Sequence, residues 1–251
     1  MHPIVKRILI YLHLNLIGVW KALQETLFDC HRNLPRDLPS GEGKTLVITG
    51  GNRGIGYEAV KILLSYGFHV ILGVRKPSAL IEKLDKVPKT KGSYEVFELD
   101  LTSFQSVKDF ANTILAKNVP IHVLLNNAGV MFGPRRETEQ GHELQMTTNH
   151  LSHFLLTSML LPKLKEAGEA DHYARVVNVS SAAHLAASWM DWSDFQSKYV
   201  VSPHTVPNLH FLSKKSTLIS RDKLSRGKNR ENVAVLHFLA LDSFDFTRKI
   251  V

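Results

Sequence analysis

A short apolar segment, a glycine-rich turn and an amphipathic helix follow one another in the first third of the sequence, and this succession restricts the fold most strongly. TLVIT (45–49) is rich in β-branched residues, which indicates a buried strand. YEAVKILLSYG (57–67) has a helical period and ends at a glycine. Between them, GGNRGIG (50–56) allows a tight turn whose backbone N–H groups can approach a diphosphate at the helix N-terminus. The expected diphosphate-binding residues are Gly50, Asn52, Arg53, Gly54, Ile55 and Gly56.

The spacing of these glycines is G-x-x-x-G-x-G, whereas the usual dinucleotide fingerprint is G-x-G-x-x-G. A simple turn without a ligand is therefore the alternative interpretation. The position of the turn, directly after a predicted strand and before a predicted helix, favours nucleotide binding.

Strand and helix patterns continue to alternate along the chain. Further strands are predicted at 68–74, 94–100, 121–129 and 175–180, and helices at 103–117 and 142–165. Strand–helix–strand units at this spacing give parallel strands with helices on both faces of the sheet. The sequence therefore predicts an α/β fold with a doubly wound parallel sheet, and its first three strands form one nucleotide-binding half.

The end of the second predicted strand indicates which dinucleotide is bound. An acidic residue at this point would accept a hydrogen bond from the ribose 2′-hydroxyl of NAD. The sequence has Arg75 and Lys76 there, and Arg53 in the glycine-rich turn is a further candidate to meet a 2′-phosphate. We therefore expect NADP(H) rather than NAD(H). The alternative is a pair of solvated basic residues at the end of a strand.

Four motifs occur in order along the chain. They are Thr-Gly-x-x-x-Gly-x-Gly at 49–56, Asp100 after the third strand, Asn-Asn-Ala-Gly at 126–129, and Ser180-Ser181 after the fifth strand. Together they resemble the short-chain dehydrogenase/reductase family, and TTNHLSHFLLT (147–157) is similar to its retinol-dehydrogenase-like branch. The resemblance covers about residues 44–184 and implies a Rossmann-like fold with oxidoreductase activity.

This resemblance also implies roles for individual residues. Asn149 would hold a water molecule of the family's proton relay, and Ser181 would hydrogen-bond the substrate oxygen. Each has a simpler interpretation as a polar helix residue or a serine at a strand end, and the asparagines at 126–127 could only shape a turn. The further cofactor-binding positions that the resemblance implies are Asp100, Leu101, Asn126, Ala128 and Gly129.

The sequence departs from the resemblance at the family's acid/base pair, Tyr-x-x-x-Lys. Residues i and i+4 share a helix face, so the lysine ammonium can lower the pKa of the phenol. Of the six tyrosines, only Tyr57 has a lysine four residues later, Lys61. This pair lies on the helix after the glycine-rich turn, at the phosphate end of the predicted cofactor site. We interpret the match as chance.

Ser202-Pro203-His204 matches the family sequence that precedes the catalytic tyrosine. Counting on directly places Pro207 in the tyrosine position, and proline interrupts a helix. A shift of three residues places His210 in the tyrosine position and Lys214 in the lysine position, and histidine can act as a general acid. The alternative is that the family sequence ends near residue 205.

The motifs divide the chain into three regions. Residues 1–43 form an apolar segment and a linker, residues 44–204 a nucleotide-binding domain, and residues 205–251 a divergent basic segment. Residues 232–246 can still form a strand, although the Pro-Gly that follows strand 6 in the family is absent. We therefore expect the C-terminal strands to be incomplete or altered, which would expose the edge of strand 5 and lower the stability of the chain.

The net charge of +8 is concentrated in one late segment. Residues 214–231 contain seven Lys or Arg and two acidic residues, without an aromatic residue among them. This composition is typical of a solvated segment, and a nucleic-acid partner is not expected. A basic-tail binding module is the weakest of the functional alternatives. The one cysteine, Cys30, excludes an intramolecular disulfide.

Residues 8–20 form a mostly apolar run of 13 residues that follows Lys6 and Arg7. A bilayer-spanning helix needs about 20 residues. We therefore expect an interfacial or signal-anchor helix that associates with a membrane. The expected membrane is that of the endoplasmic reticulum. The alternative is a packed N-terminal helix of a cytoplasmic protein.

The sequence thus predicts an NADP(H)-dependent oxidoreductase that interconverts an alcohol and a carbonyl. The resemblance and the N-terminal segment favour an apolar substrate such as a retinoid or polyprenoid. The alternative is a catalytically impaired relative that retains nucleotide binding, because the Tyr-x-x-x-Lys pair is absent. No metal site is predicted, and the sequence assigns no oligomeric state.

Overall fold

The structure is a computed structural model. It describes residues 39–88, 90–131, 135–168, 173–180 and 233–239, together with Leu12, Leu16, Val19 and Trp20.

Six parallel strands form one sheet in the order β3-β2-β1-β4-β5-β6. The strands are β1 (Thr45–Thr49), β2 (His69–Val74), β3 (Ser93–Glu98), β4 (Val123–Asn126), β5 (Ala174–Ser180) and β6 (Val233–Leu239). The strand order reverses between β1 and β4, so their carboxyl ends lie side by side. In open α/β sheets, ligands bind at such a switch point.

Four helices connect these strands within the described residues. They are α1 (Gly54–Ser65), α2 (Pro77–Leu84), α3 (Phe104–Ala116) and α4 (144–167). Helix α4 has three parts: an α-helical turn at Leu144–Met146, a π-helical turn at Thr147–Leu151 and an α-helix at Ser152–Ala167. Helix α1 ends at Ser65 with Tyr66 as its C-cap, and Gly67 follows with a φ of +89°, as the sequence predicts. Helix α2 was not predicted, although Pro77 at its first position is a recognised helix start.

Apolar side chains form two core clusters, one on each face of the sheet. Helices α1 and α2 cover the first cluster, to which Leu63 and Leu80 contribute together with Leu46 and Leu72 of the sheet. Helices α3 and α4 cover the second. Its buried helical residues include Val107, Phe110, Ile114, Leu156, Leu160 and Leu164. The doubly wound α/β fold predicted from the sequence is therefore confirmed.

The C-terminal edge of the sheet differs from the prediction. Strand β6 pairs with β5 over the full length of both strands, from Ala174 with Val233 to Ser180 with Leu239. The strand predicted within residues 232–246 is confirmed, and the predicted exposure of the edge of strand 5 is wrong. The physical reason is local, because VAVLHFL has the β-branched and apolar composition of a buried strand. The family's Pro-Gly is not needed for this pairing.

The four described residues of the N-terminal segment, Leu12, Leu16, Val19 and Trp20, are helical and exposed. In one continuous helix, a spacing of four, three and one residues would place them on the same face. Within the part of the chain that the structure describes, no helix has both the length and the hydropathy needed to span a bilayer.

Candidate functional site

The loop between β1 and α1 lies at the switch point of the sheet. Gly50 and Gly54 have φ angles of +73° and +56°, in the left-handed region that favours glycine. The Gly50 N–H donates to the carbonyl of Gly73 at the end of β2 at 3.0 Å. Asn52, Arg53 and Gly54 are exposed. The loop therefore presents its backbone to solvent where the predicted diphosphate would bind.

The N-terminus of α1 can accept an anion. Its first residue follows Arg53, whose backbone is extended, and no described side chain caps the helix. Its first turn contains no acidic residue. Helix α3, by contrast, is capped by the Ser103 hydroxyl, which accepts from the Ser106 N–H at 3.3 Å. Uncapped N–H groups and the helix dipole favour a phosphate at the start of α1.

Two close approaches fix the shape of the glycine loop. A Cβ atom on Gly56 would overlap the side-chain amide of Asn127 and would lie 2.7 Å from the Gly50 carbonyl oxygen. A Cβ atom on Gly50 would lie 2.8 Å from the Cβ of Ala128. The loop is thus packed against the residues that follow β4, and only glycine fits at these two positions.

Hydrogen bonds join the glycine loop to the turn after β4. The Asn127 side-chain amide donates to the carbonyls of Thr49 and Gly50 at 3.0 and 3.1 Å. The backbone N–H groups of Asn127 and Ala128 donate to Thr49 Oγ1 at 3.1 and 3.0 Å. Asn127 and Ala128 therefore hold the loop in place. This favours a positioning role for Asn127, which the sequence did not distinguish from a turn residue.

Asn149 lies in the π-helical turn of α4 and is only 2% exposed. Its side chain pairs with the backbone of Val130, accepting from the N–H at 2.8 Å and donating to the carbonyl at 2.9 Å. Next along the helix, buried His153 contacts Thr49 Oγ1 through Nε2 at 2.9 Å. Asn149 is therefore brought to the same end of the sheet as the glycine loop.

Asn126 is the last residue of β4, and Asp100 follows the end of β3. Buried Asn126 donates from its amide to Thr157 Oγ1 at 3.1 Å and to Asn178 Oδ1 at 2.8 Å. Asp100 Oδ1 accepts from the N–H and the hydroxyl of Thr102 at 2.9 and 2.8 Å, which closes the turn before α3.

Leu101 and Gly129 complete the set of cofactor positions predicted by resemblance. Leu101 is buried, and its carbonyl accepts from the Ser152 hydroxyl at 2.6 Å, which ties it to α4. Gly129 is exposed, and Ile55 in the first turn of α1 is half-buried. The cofactor roles of all these residues stay predictions.

Four exposed basic residues lie in the glycine loop, directly after β2, or on α2. Arg53, Arg75 and Lys76 are all exposed, and so is Lys83 on α2. Lys83 Nζ donates to the carbonyl of Asn52 at 3.4 Å, so its charge lies directly beside the loop. The sequence did not single out Lys83 because the helix that carries it was not predicted.

Glu143 caps the N-terminus of α4. It is 1% exposed, and its carboxylate accepts from the Met146 N–H at 2.7 Å. Burial raises the pKa of this carboxyl above its usual value, although the backbone hydrogen bonds and nearby Arg135 act in the opposite direction. The residue orders the first turn of the helix that carries Asn149.

The Tyr57–Lys61 pair lies on α1, as the sequence predicts. Lys61 Nζ forms an ion pair with Glu58 at 2.7 Å and lies 5.3 Å from the centre of the Tyr57 ring. Ser181, His210 and Lys214 lie outside the described residues. The structure therefore gives no placement for the predicted substrate-polarising serine or for the replacement acid/base pair.

The described residues fit a dinucleotide. An exposed loop, an uncapped helix start and a nearby lysine match the chemistry of a diphosphate. Among the described side chains, no cluster of histidine, cysteine or acidic residues could hold a metal ion.

Comparison with known proteins gives a consistent result. The family model described as short chain dehydrogenase matches residues 44–195. Polyprenol dehydrogenase from Danio rerio is 40% identical over 199 residues, 78% of this chain and 60% of that protein. Human retinol dehydrogenase 11 is 45% identical over 148 residues, 57% of this chain and 44% of that protein. The structure titled Pseudomonas aeruginosa RhlG/NADP active-site complex has a TM-score of 0.62 and 25% identity, covering 80% of this chain and 73% of that one.

The chain spans 60% or less of the length of these two dehydrogenases. The family model nevertheless matches more than half of the chain, and it includes the glycine loop, the Asn-Asn-Ala-Gly turn and helix α4. This chain therefore belongs to the short-chain dehydrogenase family.

Proposed function

We propose that this chain is an NADP(H)-dependent oxidoreductase that interconverts an alcohol and a carbonyl on an apolar lipid. The observation that carries the proposal is the uncapped start of α1 beside the exposed glycine loop. The loop N–H groups would bind the diphosphate, and Arg53 and Arg75 would meet the 2′-phosphate. When bound, the nicotinamide would supply or accept the hydride.

The remaining site residues would orient the reacting groups. Asp100 and Leu101 would meet the adenine end, and residues 126–129 would line the cleft. Ser181 would polarise the substrate oxygen, and Asn149 would order the proton path. His210 beside Lys214 is the candidate proton donor in place of the tyrosine.

The substrate class is inferred from the relatives and from the N-terminal segment. The two dehydrogenases compared above are named for polyprenol and retinol, which are apolar alcohols. The exposed face formed by Leu12, Leu16, Val19 and Trp20 suits the surface of a bilayer, where such substrates dissolve. We infer that this face associates with a membrane, for which the endoplasmic reticulum is the expected location.

Vesicle co-sedimentation tests the membrane association. Trp20→Glu should reduce binding of the chain to vesicles of neutral phospholipid, because it places a charge within the apolar face. Phe154→Glu, which changes an exposed aromatic residue on α4, is the matched control. Equal binding by all three proteins would contradict the inferred role of this face.

A second candidate is nucleotide binding without turnover. It is favoured by the position of the only Tyr-x-x-x-Lys match on α1, where Lys61 is engaged by Glu58. Tight NADPH binding combined with no reduction of an apolar ketone or aldehyde would support this second candidate. Measurable reduction would support the first.

Fluorescence titration with NADPH and NADH tests the cofactor assignment in both cases. A charge-assisted hydrogen bond to the 2′-phosphate predicts that NADPH binds about tenfold more tightly than NADH. Arg75→Ala should remove most of this preference. Lys108→Ala, which changes an exposed lysine on α3, should leave it unchanged. Equal affinity for both nucleotides in the unaltered chain would refute the NADP(H) assignment.

A further inference from the structure

His153 lies between the end of β1 and the π-helical turn of α4. It is 5% exposed, and its two ring nitrogens face different elements. Nε2 lies 2.9 Å from Thr49 Oγ1, at the start of the glycine loop. Nδ1 lies 3.3 Å from the carbonyl oxygen of Asn149. One imidazole ring therefore connects the loop to the turn that carries Asn149.

The hydrogen bonds of Thr49 determine where the proton of this ring resides. Thr49 Oγ1 accepts from the N–H groups of Asn127 and Ala128, so both of its lone pairs are used. Its single proton must then be donated to His153 Nε2. An Nε2 that accepts carries no proton, so the ring is neutral and protonated at Nδ1, from which it donates to the Asn149 carbonyl.

The same contacts link the two sides of the site. Thr49 and Asn127 fix the glycine loop, and the Asn149 side chain fixes the backbone of Val130. His153 is bonded to both groups at once. Loss of the Nε2 bond would remove the direct link between Thr49 and α4 and leave the indirect connection through Asn149, Val130 and the turn after β4.

We propose that His153 is a positioning residue, whose neutral Nδ1–H form holds the glycine loop and Asn149 at a fixed separation. This inference rests on the proposed nucleotide binding for its functional consequence, but the state of the ring is independent of it. An imidazolium would present two donors and no acceptor, so it could not accept the Thr49 hydroxyl proton. A histidine that only fills space in the core would show no such preference.

The first test is the protonation state itself. Nitrogen-15 NMR of the full chain labelled at histidine should show His153 protonated at Nδ1 and unprotonated at Nε2 at neutral pH. His153→Gln assigns the signal by its loss. A ring protonated at Nε2, or at both nitrogens, would overturn the proposal, whether or not the chain binds nucleotide.

The second test separates positioning from packing. His153→Gln keeps an acceptor near the place of Nε2, and His153→Leu does not. We expect NADPH affinity to remain within about threefold of the unaltered chain for the glutamine variant and to fall about tenfold for the leucine variant, since about 1–1.5 kcal/mol accompanies such a hydrogen bond. His150→Gln, three residues earlier on α4, should change nothing.

A double-mutant cycle with Thr49→Val completes the test. If His153 acts through Thr49, the double variant Thr49→Val/His153→Leu should bind NADPH as weakly as the weaker single variant. Additive losses would overturn the proposal, and so would unaltered affinity in His153→Leu. Thermal unfolding of each variant identifies any that is unfolded. If the unaltered chain bound no nucleotide, the proposed function would fail, and the NMR result would still decide the state of the ring.

Discussion

Gly56→Ala is the substitution for which helix propensity and the packing of the site predict opposite results. Gly56 lies in the first turn of α1, and alanine is a better helix former than glycine by about 1 kcal/mol. Propensity alone therefore predicts a more stable chain. The structure predicts a less stable one, because the new methyl group would overlap the Asn127 amide.

The expected magnitude follows from the bonds that Asn127 would lose. Its amide donates to the carbonyls of Thr49 and Gly50, and each bond contributes about 1 kcal/mol. A loss of about 2 kcal/mol against a gain of about 1 leaves the chain about 1 kcal/mol less stable, before any cost of overpacking. Because the same bonds hold the loop that would bind the diphosphate, NADPH affinity should fall by about tenfold or more.

Urea unfolding and fluorescence titration with NADPH measure the two effects on the same samples. Gly141→Ala is the control, because Gly141 has a φ of +75° with open space around it and lies outside the loop. It should lower stability by about 1–2 kcal/mol through backbone strain without changing nucleotide affinity. A Gly56→Ala chain that is as stable as the unaltered chain and binds NADPH equally well would refute the packing account.

Three further predictions concern single groups. Glu143→Gln keeps an acceptor for the Met146 N–H but removes the charge. Because burial raises the pKa of Glu143, the unaltered chain should lose stability relative to the variant as the pH rises above the usual 4.5. Urea unfolding at about pH 4 and about pH 7 measures this, and an equal difference in stability at the two pH values would contradict it. The Tyr94 hydroxyl donates to Asp85 at 2.5 Å, and this bond raises the pKa of Tyr94 to about 12. Ultraviolet titration should show a tyrosine that ionises at about pH 12, and this ionisation should be absent in Tyr94→Phe. An ordinary pKa for Tyr94 would contradict the bond. Lys83→Met should weaken NADPH binding by up to about fivefold, because its charge lies beside the loop, and Lys86→Met, the control, should not. Comparison with NADH shows which phosphate Lys83 acts on, and unchanged binding of both nucleotides would contradict a role for Lys83.

The sequence predicted the parts of the fold that depend on local pattern. The β-branched runs gave the strands, and the glycines at 50, 54 and 56 gave the turn, because these preferences act within a few residues. Helix α2 was missed because it is short, with Pro77 as its main signal. The prediction of an exposed β5 edge was wrong because the strand composition of residues 233–239 is sufficient for pairing with β5 without the family's Pro-Gly.

The contacts of the site could not be predicted in the same way. Thr49 and His153 are 104 residues apart in sequence, and Thr49 and Asn127 are 78 apart. Which polar side chains meet at the switch point depends on the register of β1 with β4 and on the rotation of α4. Neither quantity is expressed in the residue types alone.

The π-helical turn at Thr147–Leu151 sets that rotation. Such a turn accommodates one more residue than an α-helical turn. Deleting a single residue there would restore a uniform helix and rotate Ser152–Ala167 by about 100° about its axis relative to the preceding residues. His153 would then leave Thr49, and Leu156 and Leu160 would turn out of the core together with it. The additional residue of the π-helical turn thus sets the rotation of the helix. Both the alignment of the site and the burial of the apolar helix face depend on it.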